Sequence, residues 1–296
     1  MRTILALCAL VLLLGCSDKN STDGSPLVVY ASEDDPAGLQ QLFAAFTSDT
    51  GVPLQPVWGN SSSNASALIA RQGVPADVYV ASNVADIVLA AYEGALRPMQ
   101  TAVLDSVNGA LKDPDGHWVS LQRRETVIAY SGTHDTPVVS DFEGLAEEAY
   151  LGRLCLSSIT NSVNQSLIAW LMEDLGRRPA ERVVRGWIRN LAAPPFATET
   201  ELAAALESGA CPIAILSGTS VSAGTRTSTP SVSYCDISAM GVGRHAQNPE
   251  RAQQLIDWLI VNRTLLDDGG KDQRNVAIAG WGKEDALLLA ERAGFN

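Results

Sequence analysis

The chain has 296 residues and a formal net charge of -12, with 46% hydrophobic and 18% charged side chains. That balance supplies a sizeable core and argues against disorder. A chain this acidic is a poor nucleic-acid binder, because phosphate contacts need clustered Lys and Arg, and it does not adhere broadly to anionic lipid.

The first sixteen residues form a leader pattern. Arg2 gives a positive start, Ile4 to Leu14 is almost wholly apolar, and the run ends Leu13-Leu14-Gly15-Cys16. The apolar stretch is too short to span a bilayer, and small Gly15 before Cys16 fits lipid attachment to the cysteine thiol. The reading is a signal peptide over residues 1–15, then a lipidated Cys16 and a flexible tether over residues 16–26. The tether sequence SDKNSTDGS carries no apolar side chain and has nothing to bury. Asp18 stands where an aspartate often keeps enteric lipoproteins on the inner membrane. The expected location is therefore the periplasmic face of the inner membrane, or the cell-surface side, with membrane contact through the lipid anchor.

From Leu27 onward strands and helices alternate. Strands are predicted at Leu27–Ala31, Gly51–Trp58 and Ala76–Ala81, and helices at Gly38–Ser48, Ser63–Gln72 and Ala85–Glu93. The pattern resumes with strands at Glu125–Tyr130, Arg153–Ser157, Cys211–Leu216 and Tyr234–Ile237. Helices are predicted at Asn164–Leu175, Ala180–Asn190, Glu199–Glu207, Glu250–Asn262 and Leu287–Ala293. The run Ser217–Ser233 is rich in Ser, Thr, Gly and Pro and reads as an exposed loop. Alternation of this kind argues for an α/β fold with parallel sheet and helices on its faces.

Catalytic motifs are sparse. His117, His134 and His245 sit in polar, loop-like settings, and neither H-E-x-x-H nor G-x-S-x-G occurs. Three strand ends carry small polar side chains: Asp34-Asp35, Ser82-Asn83 and Ser217-Gly218-Thr219-Ser220. In an open sheet such ends border the ligand crevice. With no nucleophile–base pair among them, they suit binding a polar solute better than turning it over. A serine hydrolase using Ser158 or Ser220 would need a base that the chain does not place nearby. Cys155, Cys211 and Cys235 follow the leader; one disulfide with one buried thiol, or a metal site, is open to them.

Taken together, the segments resemble the ferric-iron-binding periplasmic proteins, the capture subunits of one class of ABC importer. The resemblance rests on LVVY (27–30), PADV (75–78), DPDGHWV (113–119) with Arg124 and VIAY (127–130), GRLCLSS (152–158), Asn161 with NQSL (164–167), CPIAIL (211–216) and KEDALLLAERAGF (283–295). It implies a two-lobed, type II-like periplasmic binding protein fold with a cleft and hinge strands between the lobes. One lobe would take residues 27–124 plus 236–296 and the other residues 125–235. It also implies a Cys155–Cys211 disulfide that leaves Cys235 outside the bridge, a non-enzymatic role, an inner-membrane ABC permease as partner, and a monomer.

The departures concern the metal ligands. Two adjacent tyrosines normally follow the strand matching CPIAIL, and here Thr219 and Ser220 stand there; a further tyrosine before NQSL is replaced by Val163. A phenol titrates near pH 10 and an alcohol far above it, so these hydroxyls cannot replace phenolates on ferric iron. Asp34 and Asp35 remain as weak anionic candidates for a metal. The expected ligand-binding set is Asp34, Asp35, Asn83, Arg124, Asn161, Asn164, Ser217, Thr219 and Ser220, with Arg124 suited to gripping an anion. The cargo implied is ferric iron, an iron chelate in which the chelator supplies the ligands, or another small polar solute. A sensor or assembly protein on the same fold is the alternative.

Overall fold

The computed structural model describes residues 24–33, 36–230, 232, 234–262 and 274–295. The expected signal peptide, Cys16 and most of the tether lie outside the described residues, as do Asp34 and Asp35. Among the described residues, no helix is long and apolar enough to cross a membrane.

The first half builds a parallel unit. Strand β1 (Leu27–Ser32) is buried along its whole length and is followed by α1 (Pro36–Thr50), whose Leu39, Phe43 and Phe46 are buried. Strands β2 (Leu54–Gly59) and β3 (Val78–Ala81) flank β1 in parallel, with α2 (Ser61–Ile69) between them in sequence. Then come α3 (Val84–Tyr92), the short β4 (Leu96–Arg97) and α4 (Ala102–Asp105).

The twelve-residue β5 (Val119–Tyr130) is the central crossing element. Its first half pairs antiparallel with β9 (Cys235–Gly243), and its second half with β7 (Ile213–Ser217) and β8 (Arg226–Ser228). The strand thus leaves one sheet and enters the other near Glu125–Thr126, giving the order β2-β1-β3-β9-β5-β7-β6, where β6 (Leu154–Cys155) lies parallel to β7. Helices α5 (Ser162–Leu175), α6 (Arg177–Arg189) and α7 (Glu199–Glu207) belong to the second half. Gly176 separates α5 from α6 at a φ of 83°, a conformation in which a Cβ is strained. After β9 come α8 (Pro249–Asn262), α9 (Ala277–Trp281) and α10 (Lys283–Ala293). Helix α9 packs on α3 and α5, and α10 on α5 and α6, so the C-terminal helices touch both halves.

Two local expectations change. The sheet is mixed rather than parallel, because β9 runs antiparallel to both β3 and β5. Alternation of elements reports the βαβ units at either end, while strands returning from a distant segment carry no such signal. The Ser/Thr-rich run after β7 is not wholly an exposed loop: Ser217 is buried, residues 218–220 form a 3-10 turn, and β8 pairs with β5. Backbone pairing there overrides a turn-like composition.

One large core cluster runs through both halves, from Phe46, Tyr79 and Trp118 in the first to Trp170 and Trp187 in the second, while a smaller one under α7 includes Ala129, Cys155, Leu202, Leu206, Cys211 and Leu216. Two of the buried indoles donate to backbone carbonyls, Trp170 Nε1 to Cys235 at 2.9 Å and Trp187 Nε1 to Phe142 at 2.8 Å.

Candidate functional site

A cleft of about 770 Å³ opens where the two sheets meet. Helices α2, α3, α5 and α7 all begin at its wall, two from each half, and the residue capping each one lines it: Asn60, Asn83, Asn161 and Thr198. Each cap works in the same way. The side-chain oxygen accepts a first-turn amide: Ser63 N for Asn60 at 3.2 Å, Asp86 N for Asn83 at 2.9 Å, Val163 N for Asn161 at 3.1 Å and Glu201 N for Thr198 at 3.1 Å. Four converging helix N-termini point their positive dipole ends at one volume. Most of the rest of the wall is hydroxyl and amide, with Ser61, Ser62, Ser82, Gln122, Thr160, Gln165, Thr219 and Ser220, and Val163 and Ala197 are its apolar members; no aromatic side chain lines it among the described residues.

Charges enter from four residues. Arg124 lies on β5 at the crossing. Its Nη2 donates to the Ser82 carbonyl and to Asp236 Oδ2, the latter at 3.1 Å. Asp236, Arg124's register partner on β9, is fully buried and its Oδ1 accepts the Val84 and Ile237 amides at 3.0 and 2.8 Å. Arg124 Nε is buried without an acceptor, a situation that costs about 1–3 kcal/mol. Lys283 at the start of α10 pairs with the buried Asp86 at 3.0 Å. Asp86 also accepts from Ser62 Oγ at 2.9 and 3.0 Å and from Asn83 Nδ2 at 2.7 Å. Burial by itself raises the Asp86 carboxyl, but the Lys283 ammonium and the hydrogen bonds it receives outweigh that and hold it below the usual range. Glu199, the first residue of α7, accepts the Ser217 amide at 2.7 Å and Ser220 Oγ at 3.2 Å. Burial raises its carboxyl above the ordinary value, against the opposing pull of the Ser217 hydrogen bond and Arg124.

The raised Glu199 has a testable sign. Below the ordinary carboxylate range of about pH 4, Glu199 is neutral in both the folded and unfolded chain and costs nothing. As the pH rises through its elevated folded value, ionising it in the folded state becomes unfavourable and stability is lost. Glu199→Gln is therefore expected to match the wild type in acid and to surpass it toward neutral pH in urea unfolding midpoints. A variant equally or more destabilised at all pH values would contradict this.

The structure brings Asn83, Arg124, Asn161, Thr219 and Ser220 together at the cleft. Asn164 and Ser217 lie behind its wall. Asn164 Nδ2 is committed to the Ser157 carbonyl and hydroxyl and to the Ser158 carbonyl at 2.8, 3.0 and 3.2 Å, and Ser217 Oγ pairs with Thr219 Oγ1 at 2.8 Å. Sequence reading missed Glu199, Asp86 and Lys283. Asp86 sits in the first turn of α3, directly after the end of β3, and that position was the available signal; α7 follows α6 and not a strand, so Glu199 carried no such signal.

None of the six tyrosines lines the cleft. Tyr79 comes nearest, donating to the carbonyl of the wall residue Ser61 at 2.9 Å, but burial and then the Asp86 charge push its phenol far up. Tyr234 is buried with the Arg274 guanidinium 5.4 Å above its ring, and burial and then a hydrogen bond with Asp174 raise it as well. Tyr30 donates to the Val74 carbonyl, Tyr130 accepts the Val139 amide, Tyr150 is buried, and Tyr92 is exposed against Trp281. The histidines are elsewhere too. His117 Nδ1 lies 2.9 Å from Asp113 Oδ2, His134 meets Thr133, and His245 lines a separate apolar depression. Among the described residues, the only three metal-type side chains brought together are Asp113, Asp115 and His117, and none of them lines the cleft. Cys155 and Cys211 form the expected disulfide, and Cys235 is buried outside it.

Two packed α/β halves, a strand crossing between them and a polar cleft at the crossing define the two-lobed periplasmic binding protein fold. Comparison with solved structures agrees. A Trichodesmium protein, IdiA or FutA, in complex with iron and citrate ligands superposes with a TM-score of 0.79 at 23% identity, covering 92% of this chain and 100% of that one. The ferric binding protein from Campylobacter jejuni gives 0.81 at 18% identity, covering 91% and 100%. No protein-family model matches the chain. In sequence it is similar to Iron uptake protein A1 of Synechocystis sp., 26% identical over 242 residues, covering 74% of this chain and 67% of the relative. It is also similar to the Fe(3+)-binding periplasmic protein of Serratia marcescens, 23% identical over 189 residues, covering 63% and 54%. The resemblance to ferric-iron-binding periplasmic proteins thus holds in sequence over most of the chain and in fold over nearly all of it.

Proposed function

We propose that the chain is the substrate-binding lipoprotein of an ABC importer in the ferric-iron group, not an enzyme, capturing chelated iron or another small polar solute between its lobes. The observation that carries this is the polar cleft fed by four capped helix N-termini from both halves and floored by the crossing β5. The similarity to the named iron-uptake and ferric-binding proteins supports it. In this reading residues 27–124 plus 236–296 and residues 125–235 are the lobes, the crossing strands are the hinge, and Asn83, Arg124, Asn161, Thr219 and Ser220 contact cargo. Residues 1–15 are the signal peptide, Cys16 carries the lipid, and residues 16–26 tether a monomer at the periplasmic face of the inner membrane, within reach of its permease. The hydrolase reading has no support from the cleft, since no histidine lines it.

Thermal stabilisation tests this, because a ligand that binds only the folded state raises Tm by mass action. Ferric citrate or a member of a panel of small polar solutes is expected to raise Tm. No phenolate-to-iron colour is expected with ferric iron, because the tyrosines lie outside the cleft. A panel that leaves Tm unmoved would overturn the solute-binding reading, and a visible colour would overturn the cleft assignment.

A further inference from the structure

We propose that the recognised part of the cargo is an organic oxyanion, carrying carboxylate or phosphorus-oxygen groups, and that any metal travels inside it without bonding to the protein. This rests on the solute-binding reading above and names its ligand class.

Three observations converge. The cleft wall carries two cations, Arg124 on β5, bonded to the Ser82 carbonyl, and Lys283 on α10, paired with Asp86. The first turns of four helices of at least nine residues open onto the same volume, where dipoles and amides favour negative charge. The two carboxyls at the wall are not open metal ligands. Asp86 already accepts from Lys283, Ser62 and Asn83, and Glu199 accepts from Ser217 and Ser220 and is pushed by burial toward its neutral form.

Size and polarity narrow the class. A water molecule claims about 30 Å³ of liquid, so a cleft of about 770 Å³ would be left mostly empty by a bare ion or a lone phosphate. The hydroxyl and amide wall offers hydrogen bonds to the remaining oxygens of a larger solute, and its lack of aromatic rings among the described residues offers no stacking platform for a flat ring or a sugar face. The Lys283–Asp86 pair is the first contact such a solute would share. Lys283 is a quarter exposed, so its ammonium can turn from the carboxylate to the incoming oxygens.

Calorimetric titration of the purified, metal-stripped protein tests the inference. The probes are citrate, ferric citrate, phosphonoacetate, inorganic phosphate, ferric nitrilotriacetate with nitrilotriacetate alone as its control, and the neutral polyols glycerol and sorbitol. At least one metal-free oxyanion is expected to bind saturably, with ferric citrate little tighter than citrate. Preference between citrate and phosphonoacetate tells carboxylate from phosphorus recognition. Because Lys283→Met alone strands the buried Asp86, the double variant Lys283→Met with Asp86→Asn removes both charges; it is expected to fold with a native circular dichroism spectrum and to lose roughly tenfold or more in affinity for that anion. The inference fails if the polyols or the iron of ferric nitrilotriacetate bind while the metal-free anions do not, which would leave the solute-binding reading standing. It also fails if the folded double variant binds the anion as the wild type does. If no probe binds at millimolar concentration, the inference and the solute-binding reading fall together.

Discussion

Replacing Asp236 with alanine is expected to cost about 3–5 kcal/mol of folding stability, the range for removing one partner of a buried ion pair. The reason is that Asp236 serves three donors from a fully buried position: Arg124 at 3.1 Å, the Val84 amide at 3.0 Å and its own neighbour Ile237 at 2.8 Å. Without it the Arg124 guanidinium, whose side chain is only 17% exposed, keeps one carbonyl acceptor and gains a second orphaned edge beside the already unpartnered Nε. At about 2–4 °C of Tm per kcal/mol, the melting temperature should fall by roughly 10 °C. Asp236→Asn keeps an oxygen for the Val84 and Ile237 amides but loses both the charge and the acceptor for Arg124, so it should fall between alanine and wild type. The same variants bear on the cleft, because Arg124 and Asp236 are cross-strand partners at the lobe crossing and together fix the start of α3, where Ser82 and Asn83 line the cleft. Urea unfolding is the measurement. An alanine variant within about 1 kcal/mol of wild type, the scale of an exposed pair, would show that the pair adds nothing to the crossing.

Much of this arrangement was legible in the sequence, and the missing part has physical causes. Short apolar runs located β1, β3 and β7, because strands buried on both faces have little freedom in composition. Strand ends pointed to Asn83, Thr219 and Ser220. Asn164 and Ser217 went behind the wall, since Asn164 holds the Ser157 and Ser158 carbonyls and Ser217 Oγ caps the turn that follows it, bonds as useful there as a side chain that faces solvent. Asp236 gave no signal at all. The charge of this lone carboxylate inside an apolar run is matched by Arg124, 112 residues away, across a register that no local pattern encodes. Lys283 was visible as part of a closing helix, but its partner Asp86 lies 197 residues earlier. Arg124 itself was expected to grip an anion, and the structure shows one of its nitrogens already spent on Asp236 and Ser82.

The second large effect concerns the disulfide. Cys155 ends β6 and Cys211 precedes β7, and the bridge joins positions 56 residues apart. Closing a loop of that length in the unfolded chain corresponds to about 4 kcal/mol in the chain-entropy treatment, within a usual range of about 2–5. The enclosed segment holds α5, α6 and α7, including Asn161, Thr198 and Glu199 at the cleft. The double variant Cys155→Ala with Cys211→Ala is expected to lose about 4 kcal/mol and roughly 10 °C in Tm, and alanine avoids placing a hydroxyl in the apolar cluster of Leu202, Leu206 and Leu216. Reductant should lower the wild-type Tm by a similar amount and leave the double variant unchanged. Thinning of the cluster beneath α7 should also loosen the seat of Glu199 on the Ser217 amide, so the wall from residue 197 to 200 should exchange its amide hydrogens faster than the α2 and α3 wall. A variant as stable as wild type, with uniform exchange around the cleft, would show that the bridge is incidental to this lobe. The expected dependence also bears on compartment: a lobe whose ligand wall relies on an intact disulfide is suited to an oxidising space outside the cytoplasm, where the leader reading sends it.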